Sequence, residues 1–198
     1  MTGVFKLALL AVVLTAARTR CDTDEIRVQQ TPGRTAETAE QNILKKFWKG
    51  HKKLWTAKST YVFTYNCERE VPSNITDTGV KITTFFQTRN SFTLNWTFVQ
   101  NDTMTCTLSS NVELRRQIVY QNKTCAVFKM IVFSRSESAA QENTHVRSET
   151  YYKLVVDDKK KGTVPNDCTA HYRKARGERK TYKVYRENCK NIENKYVK

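Results

Sequence analysis

The stretch that most constrains the fold of this chain is residues 79–133. It is rich in Thr, Val, Ile, Phe and Tyr and contains no proline. Short polar pieces interrupt the stretch, a pattern typical of several short antiparallel strands joined by tight turns. Phe92, Leu94, Trp96 and Phe98 alternate with polar residues, so one face of their strand is apolar and the other faces solvent. A sheet that is apolar on one face must close into a barrel or pack as a sandwich.

Asn-X-Thr sequons fall in the same β-rich half of the chain and predict N-linked glycans on the solvent side. Asn95 lies on the polar face of its strand, which agrees with an inward aromatic face. The predicted glycosylation sites are Asn74, Asn95, Asn101 and Asn122.

The first 21 residues contain one lysine, then an apolar run and small residues, a pattern typical of a secretory signal peptide. Cleavage after Ala17 or after Cys21 fits this pattern. We therefore predict a signal peptide over 1–21, a flexible segment over 22–35 and one folded domain over 36–198. No later segment is apolar enough for a membrane helix, so we expect a secreted protein without membrane insertion.

The cysteines that follow are widely spaced and match no metal or redox motif, so long-range disulfides are the preferred interpretation in an exported chain. His51, His145 and His171 lie far apart and do not have the spacing of metal ligands. The sequence also contains no nucleophile elbow, P-loop or dinucleotide fingerprint. We expect a binding protein, not an enzyme, with no cofactor and no metal.

The formal net charge is +15, and basic residues concentrate at Lys159–Lys161 and Arg173–Lys180. The simplest interpretation is a solvated surface that keeps the protein soluble. The alternative is a site for a glycosaminoglycan or for an acidic host protein. Nucleic acid is disfavoured as a partner because the chain is predicted to be exported and carries no RNA-binding signature.

The order of predicted elements indicates a mainly β protein with one helix at each end. An amphipathic helix is expected from Ala36 to Gly50, and a second from Pro165, with Cys168 and Tyr172 facing the sheet. Leu54–Cys67 predicts one or two strands, and Glu68–Thr78 predicts a loop. The other strands are expected at Val80–Gln87, Phe92–Gln100, Thr103–Leu108, Val112–Tyr120, Cys125–Phe133 and Val146–Val156. About eight strands result, the number whose closed barrel can hold one small ligand.

Four short motifs occur along the domain: Trp55 with Tyr61 and Cys67, Asn122 to Val127, Tyr152 to Val156, and Pro165 with Cys168, Tyr172 and Cys189. Together they resemble the motifs of the tick salivary lipocalins of the histamine-binding protein family. The resemblance covers roughly residues 43–189. It implies an eight-stranded antiparallel barrel with an N-terminal helix, a C-terminal helix and two disulfides, Cys67–Cys189 and Cys125–Cys168. Cys106 is then a lone thiol or the partner of Cys21.

The function that the resemblance implies is sequestration of a small host mediator inside the barrel of a monomeric protein, which dampens host defence. A biogenic amine such as histamine or serotonin is the ligand expected for this family. The alternatives are an anionic lipid, such as a fatty acid or leukotriene, and a protein or glycan bound at the outer surface.

A buried amine needs a carboxylate partner, and aromatic walls can add cation–π contacts. The position of the family's amine-binding Glu is occupied here by Lys153, and the position of its Trp by Val155. If Lys153 points inward, Glu149 on the same face could pair with it or with a ligand amine; an unpaired Lys153 would favour an anion. The predicted ligand-binding residues are Phe92, Trp96, Phe98, Tyr120, Glu149, Tyr151, Lys153 and Val155.

Overall fold

The computed structural model describes residues 42–87, 90–136 and 145–192. The predicted signal peptide, the predicted flexible segment, Cys21 and the start of the predicted first helix lie outside the described residues. No helix in the described ranges is long and apolar enough to span a bilayer.

In the described part of the chain, nine strands form one antiparallel sheet, and eight of them close into a barrel. The strands that were predicted from alternation lie within three residues of their expected bounds, because each pleat buries every second side chain. The strands are β1 (Leu54–Ser59), β2 (Arg69–Ser73), β3 (Gly79–Phe85), β4 (Ser91–Gln100), β5 (Thr103–Ser109), β6 (Val112–Gln121), β7 (Cys125–Ser136), β8 (His145–Asp157) and β9 (Tyr182–Lys183).

The barrel closes where β1, which pairs with β8 along its length, also pairs with β2. This closing contact is short: Leu54 lies opposite Glu70, and Trp55 lies opposite Arg69. Farther along β1, the two-residue strand β9 takes the place of β2 and pairs with Lys58 and Ser59. The predicted eight-stranded antiparallel barrel is therefore confirmed.

The strand β2 was not expected, since Pro72 and its polar neighbours indicated a loop over Glu68–Thr78. Proline is tolerated here because β2 pairs with β3 along its length but with β1 only at Arg69 and Glu70. Pro72 therefore sits on a part of β2 that has no second strand to receive a backbone N–H. Conversely, the predicted strand character of 54–67 ends at Ser59.

The N-terminal helix α1 (Ile43–Gly50) covers one end of the barrel. Its first turn is capped by Asn42, whose side chain accepts the backbone N–H of Lys45. Phe47 and Trp48 both pack against Phe128 of β7. The ring centroid of Phe128 lies 5.5 Å from that of Phe47 and 6.1 Å from that of Trp48. This end of the barrel is thus filled by apolar side chains.

The C-terminal helix α2 (Asn166–Arg176) packs on the outside of the barrel. Cys168 and Tyr172, which were predicted to face the sheet, are buried there against Val127 and Leu154. The two predicted disulfides are present: Cys125–Cys168 ties α2 to β7, and Cys67–Cys189 ties the C-terminal segment to the start of β2. Cys106 belongs to neither pair and is buried in the barrel core.

Candidate ligand-binding site

The interior of the barrel is lined by aromatic and aliphatic side chains from α1 and from all strands except β2 and β9. Trp96 and Phe98, predicted to face inward, are buried at 3% and 7% exposure, whereas Asn95 between them is exposed. The other buried members of this interior cluster are Leu44, Phe47, Trp48, Leu54, Val80, Ile82, Leu94, Met104, Cys106, Ile118, Ala126, Phe128, Met130 and Val155.

Most of the predicted ligand-binding residues lie in or beside this interior. Val155 belongs to the buried cluster, and Phe92 and Tyr151 pack against it while remaining half-buried. Lys153 lies between Tyr151 and Val155 on the same face of β8 and is only 9% exposed. The structure therefore brings six of the eight predicted side chains together, but whether they bind a ligand stays a prediction.

The remaining two predicted residues lie elsewhere. Tyr120 is on the outer face, where its ring stacks on His171 of α2 at 3.7 Å and its hydroxyl donates to Asp167. A register shift in β6 after Ile118 places it there. Glu149 shares the parity of Lys153 but is exposed near the end of β8, so it does not pair with that lysine.

The buried charges of the interior form one cluster, and its strongest pair joins β6 to β2. The Arg116 guanidinium donates two parallel hydrogen bonds to the Glu70 carboxylate, from Nη1 at 2.8 Å and from Nη2 at 2.7 Å. Both side chains are only 3% exposed. Burial alone would raise the pKa of Glu70, but Arg116 and Lys153 hold that pKa below its usual value of 4.5, so Glu70 is ionised.

A second pair lies beside the first, because the Lys153 ammonium donates to Glu68 Oε1 at 2.6 Å and lies 3.9 Å from Glu70 Oε1. The Thr56 hydroxyl donates to the same Glu68 oxygen at 2.6 Å. Burial would lower the pKa of Lys153, but Glu68, Tyr151 and Glu70 raise it, so this lysine stays charged. Two carboxylates and two cations give this cluster, Glu68–Glu70–Arg116–Lys153, no net charge.

Three aromatic rings surround the guanidinium of Arg116. Its Cζ atom lies 4.7 Å from the ring centre of Trp96, 5.1 Å from that of Phe128 and 5.6 Å from that of Trp48. Such cation–π contacts offset part of the cost of burying the charge. Two buried donors here, Arg116 Nε and Trp48 Nε1, have no acceptor among the residues that the structure describes. A bound molecule or an ordered water could accept the hydrogen bonds that these two groups offer.

The mouth loop, defined as residues 60–68 between β1 and β2, places aromatic side chains at the end of the barrel opposite α1. Tyr61 stacks on Tyr151 with ring centroids 4.7 Å apart, and Tyr65 packs on Phe86 at 4.8 Å. Burial, followed by the neighbouring Tyr151, raises the pKa of Tyr61 to about 12. The charge of Lys153 acts on both Tyr61 and Tyr151, so this stacked pair lies near the charge cluster.

Sequence reasoning missed Glu68, Glu70 and Arg116. Both glutamates were assigned to a loop, although Glu68 and Glu70 alternate with the outward Arg69, whose guanidinium lies over Trp55 and Phe85. That alternation was the available signal for a strand. Arg116 gave no such signal. It follows Arg115 directly, and the sequence does not show which of the two arginines is buried and which is exposed.

The described residues contain one group with metal-like proximity, Cys125, Asp167 and Cys168. The two sulfurs are joined in a disulfide and do not offer thiolate ligands. Asp167 is engaged by Tyr120 and Asn122, at 2.7 Å each. We therefore assign no metal to this group.

A closed eight-stranded antiparallel barrel with a helix across one end and a second helix on its wall is the lipocalin fold, and this chain adopts it. No protein-family model matches the sequence, and no curated protein is significantly similar to it. Solved structures support the assignment of the fold. The chain is similar to AM182, solved as its serotonin complex, with a TM-score of 0.53 and 17% identity over 74% of this chain and 91% of that one.

It is also similar to the siderocalin Ex-FABP, described as having dual ligand specificities, with a TM-score of 0.50 and 6% identity over 70% of this chain and 91% of that one. Japanin from Rhipicephalus appendiculatus, bound to cholesterol, matches with a TM-score of 0.44 and 11% identity over 70% and 95% of the two chains. The similarity to AM182 and to Ex-FABP confirms the predicted likeness to lipocalins for the fold.

Proposed function

We propose that this protein binds a small ligand inside its barrel and holds the polar group of that ligand at the Glu68–Glu70–Arg116–Lys153 cluster. The observation that carries the proposal is the burial of four charged side chains within an otherwise apolar interior. Burying such charges costs several kcal/mol per ion before pairing, and apolar residues of similar size are often as stable. A polar anchor for a ligand gives these charges a role that packing alone does not require.

The geometry favours a ligand whose polar group accepts hydrogen bonds, such as a carboxylate or a hydroxyl. Arg116 Nε and Trp48 Nε1 are buried donors that have no acceptor in residues 42–87, 90–136 and 145–192. The carboxylate of Glu70 is already bound by Arg116, and Glu68 is bound by Lys153 and Thr56. A fatty acid or a leukotriene fits this pattern, with its apolar part against the aromatic wall.

A biogenic amine is the second candidate, favoured by the two buried carboxylates, by the sequence resemblance and by the serotonin bound to AM182. Such a ligand would have to displace the Lys153 ammonium, which already occupies the place of an amine beside Glu68. The chemistry of the site therefore ranks an acceptor ahead of an ammonium group.

Isothermal titration against arachidonate, a leukotriene, histamine and serotonin tests this ranking. We expect Trp48→Phe to weaken binding of the acid about tenfold, because it removes one buried hydrogen bond while keeping the ring. Trp55→Phe is the matched control, since it also removes an indole N–H, but on the outer face where that group donates to Asp158. The proposal is wrong if none of the four compounds binds to the parent protein. It is also wrong if Trp48→Phe and Trp55→Phe bind the acid with the same affinity.

Lys153→Gln separates the two ligand classes. It frees the Glu68 carboxylate, so histamine or serotonin should bind more tightly if an amine is the ligand, whereas the acid should bind no better. The same titrations give both answers. Tighter binding of an amine together with no binding of any acid to the parent protein would reverse the ranking.

We also propose that the protein acts outside the cell and sequesters a host inflammatory mediator. The two disulfides, the sequons and the leader-like start of the sequence support this role. Expression in eukaryotic cells, followed by N-terminal sequencing of the protein in the medium, tests secretion. Retention of the chain inside the cell with residues 1–21 still attached would contradict it.

A further inference from the structure

We propose that the outer wall of the barrel around β9 binds a linear sulfated polysaccharide, independently of any ligand inside. The surface concerned, called the basic face below, consists of Lys58, Lys129, Arg179 and Lys183. It belongs to a strongly basic part of the chain: residues 173–190 contain eight Lys or Arg and two Glu, a net charge of 8 − 2 = +6.

The basic face is ordered by the strand register. Lys129 of β7 lies opposite Tyr152 of β8, and Lys58 of β1 lies opposite both Leu154 of β8 and Lys183 of β9. Tyr152 and Leu154 pack in the outer cluster under α2, so the lysines opposite them also point outward. Adjacent strands are about 4.8 Å apart, so this row of cations extends over about 15 Å across four strands.

Lys58 and Lys183 are like charges in directly opposite positions, an arrangement that is unfavourable without a counterion. Lys183 helps to lower the pKa of Glu187, but the Glu187 carboxylate pairs with Lys190 at 2.7 Å. An anionic group bound between the two lysines would relieve their repulsion. This pair is the second observation, besides net charge, that indicates an anionic partner.

Arg179 adds a positioned donor beside the row. Its guanidinium lies 5.3 Å from the centre of the Tyr152 ring, and Nη1 donates to the Arg176 carbonyl oxygen at 3.3 Å. Similarly, the Lys180 ammonium lies over the Tyr182 ring at 5.5 Å. Both tyrosine rings are thus covered by cations and do not offer open faces for stacking nucleobases.

The same face has little to insert into a lipid bilayer. Among the described residues, the exposed large apolar side chains are Ile43 on α1, Val62 and Tyr65 in the mouth loop and Val119 on β6, and none of them belongs to the basic face. Cations without apolar side chains beside them anchor a protein weakly in a membrane. A row of cations without apolar anchors fits a polysaccharide better than a membrane, and the disulfides agree with the oxidising compartment in which such chains occur.

Heparin affinity measured by calorimetry over a range of NaCl concentrations tests this proposal. The test variant is Lys58→Gln/Lys183→Gln, and the matched control is Lys159→Gln/Lys160→Gln, which removes two exposed lysines from the turn after β8. The slope of log affinity against log salt concentration reports the number of ionic contacts with the polyanion. If heparin binds to the basic face, the magnitude of this slope should be smaller by about two in the test variant, which lacks two cations. It should also unfold at the same or a higher temperature, because the repulsion has gone.

Equal loss of heparin affinity in both double variants would overturn the proposal, because the interaction would then follow net charge alone. Absence of heparin binding by the parent protein would overturn it as well. Phosphatidylserine vesicles and a duplex DNA provide the remaining comparison. Tighter binding of either than of heparin, at equal concentrations of charge, would reject the polysaccharide as the partner.

Discussion

At the level of single residues, Arg116 connects the charges of the interior with its aromatic wall. It pairs with Glu70 through two hydrogen bonds and lies against Trp48, Trp96 and Phe128. Its chemistry thus spans both parts of the proposed site, the polar anchor and the apolar wall. Removing either member of the Arg116–Glu70 pair leaves the other charge buried with fewer partners.

We predict that Glu70→Gln lowers the free energy of unfolding by about 3–5 kcal/mol, because Arg116 then remains buried without its carboxylate. Glu113→Gln is the control, since Glu113 pairs with Arg115 on the partly exposed outer wall and should cost less than about 1 kcal/mol. Urea unfolding at pH 7 measures both values. Similar losses in the two variants would contradict the importance of the buried pair.

Acidification should weaken the parent protein through the same residue. The pKa of Glu70 is lowered by folding, so its stabilising effect is present above its usual value of 4.5 and is lost as the pH falls through the lower pKa of the folded state. We expect the unfolding free energy to fall below about pH 4.5, with a shallower fall in Glu70→Gln. Identical slopes in the two proteins would argue against this assignment.

Asn122 differs from the other predicted glycosylation sites. Its side-chain oxygen accepts the backbone N–H groups of Thr124 and Cys125, and its Nδ2 donates to Asp167 at 2.7 Å. Asn74, Asn95 and Asn101 are exposed. We therefore expect glycans at those three positions and not at Asn122. Glycopeptide mass spectrometry of protein secreted from eukaryotic cells checks this, and full occupancy of Asn122 would contradict it.

At the level of elements, the mouth loop lies at the end of the barrel opposite α1. It joins β1 to β2 and is fixed at both ends, because the Thr60 N–H donates to the Tyr152 carbonyl oxygen, Cys67 is bonded to Cys189 and Glu68 pairs with Lys153. Between these ends, Tyr61 stacks on Tyr151 and Tyr65 packs on Phe86. Aromatic pairs of this kind contribute about 0.5–1.5 kcal/mol beyond the area that they bury. The middle of the loop, residues 61–65, is thus held by contacts weak enough to break without unfolding the barrel.

We predict that Tyr61→Ala increases opening of the mouth loop about two- to tenfold, since it removes the stack on Tyr151. Hydrogen exchange of the amides in residues 60–66 measures this opening and does not require a known ligand. Val62→Ala is the control, because Val62 is 52% exposed. Unchanged exchange in Tyr61→Ala would mean that the stack does not hold the loop.

At the level of the whole molecule, the two disulfides tie outer segments to the barrel. Cys67–Cys189 closes 122 residues of chain, and Cys125–Cys168 closes 43. In the chain-entropy description, longer loops gain more from a cross-link, so the two bonds contribute about 5 and about 4 kcal/mol. Both bonds lie on the outside of the wall and leave the interior charges untouched.

We therefore expect Cys67→Ser/Cys189→Ser to destabilise the protein by slightly more than Cys125→Ser/Cys168→Ser. Guanidinium unfolding under non-reducing conditions measures both. The second variant is the comparison for the first, since each removes one bond and two sulfurs. A much larger loss in the Cys125/Cys168 variant would show that anchoring of α2, and not loop length, sets the effect.

Strand positions followed from local sequence, because alternation on a pleated sheet is a property of neighbouring residues. The inward direction of Trp96 and Phe98 and the exposure of Asn95 could be predicted for this reason. The place of Tyr120 could not, since a register shift within β6 moved it to the outer wall. The strand β2 was missed because Pro72 is tolerated only through the short pairing of β2 with β1.

The sequence by itself thus determined a one-sided sheet, its approximate strands and its two covering helices. Only the tertiary structure decided that Lys153 meets Glu68 and that Arg116 meets Glu70, pairs that lie 85 and 46 residues apart along the chain. The physical reason is that burial depends on local pattern, whereas ion pairing inside a barrel depends on the register of strands that meet only when the wall closes.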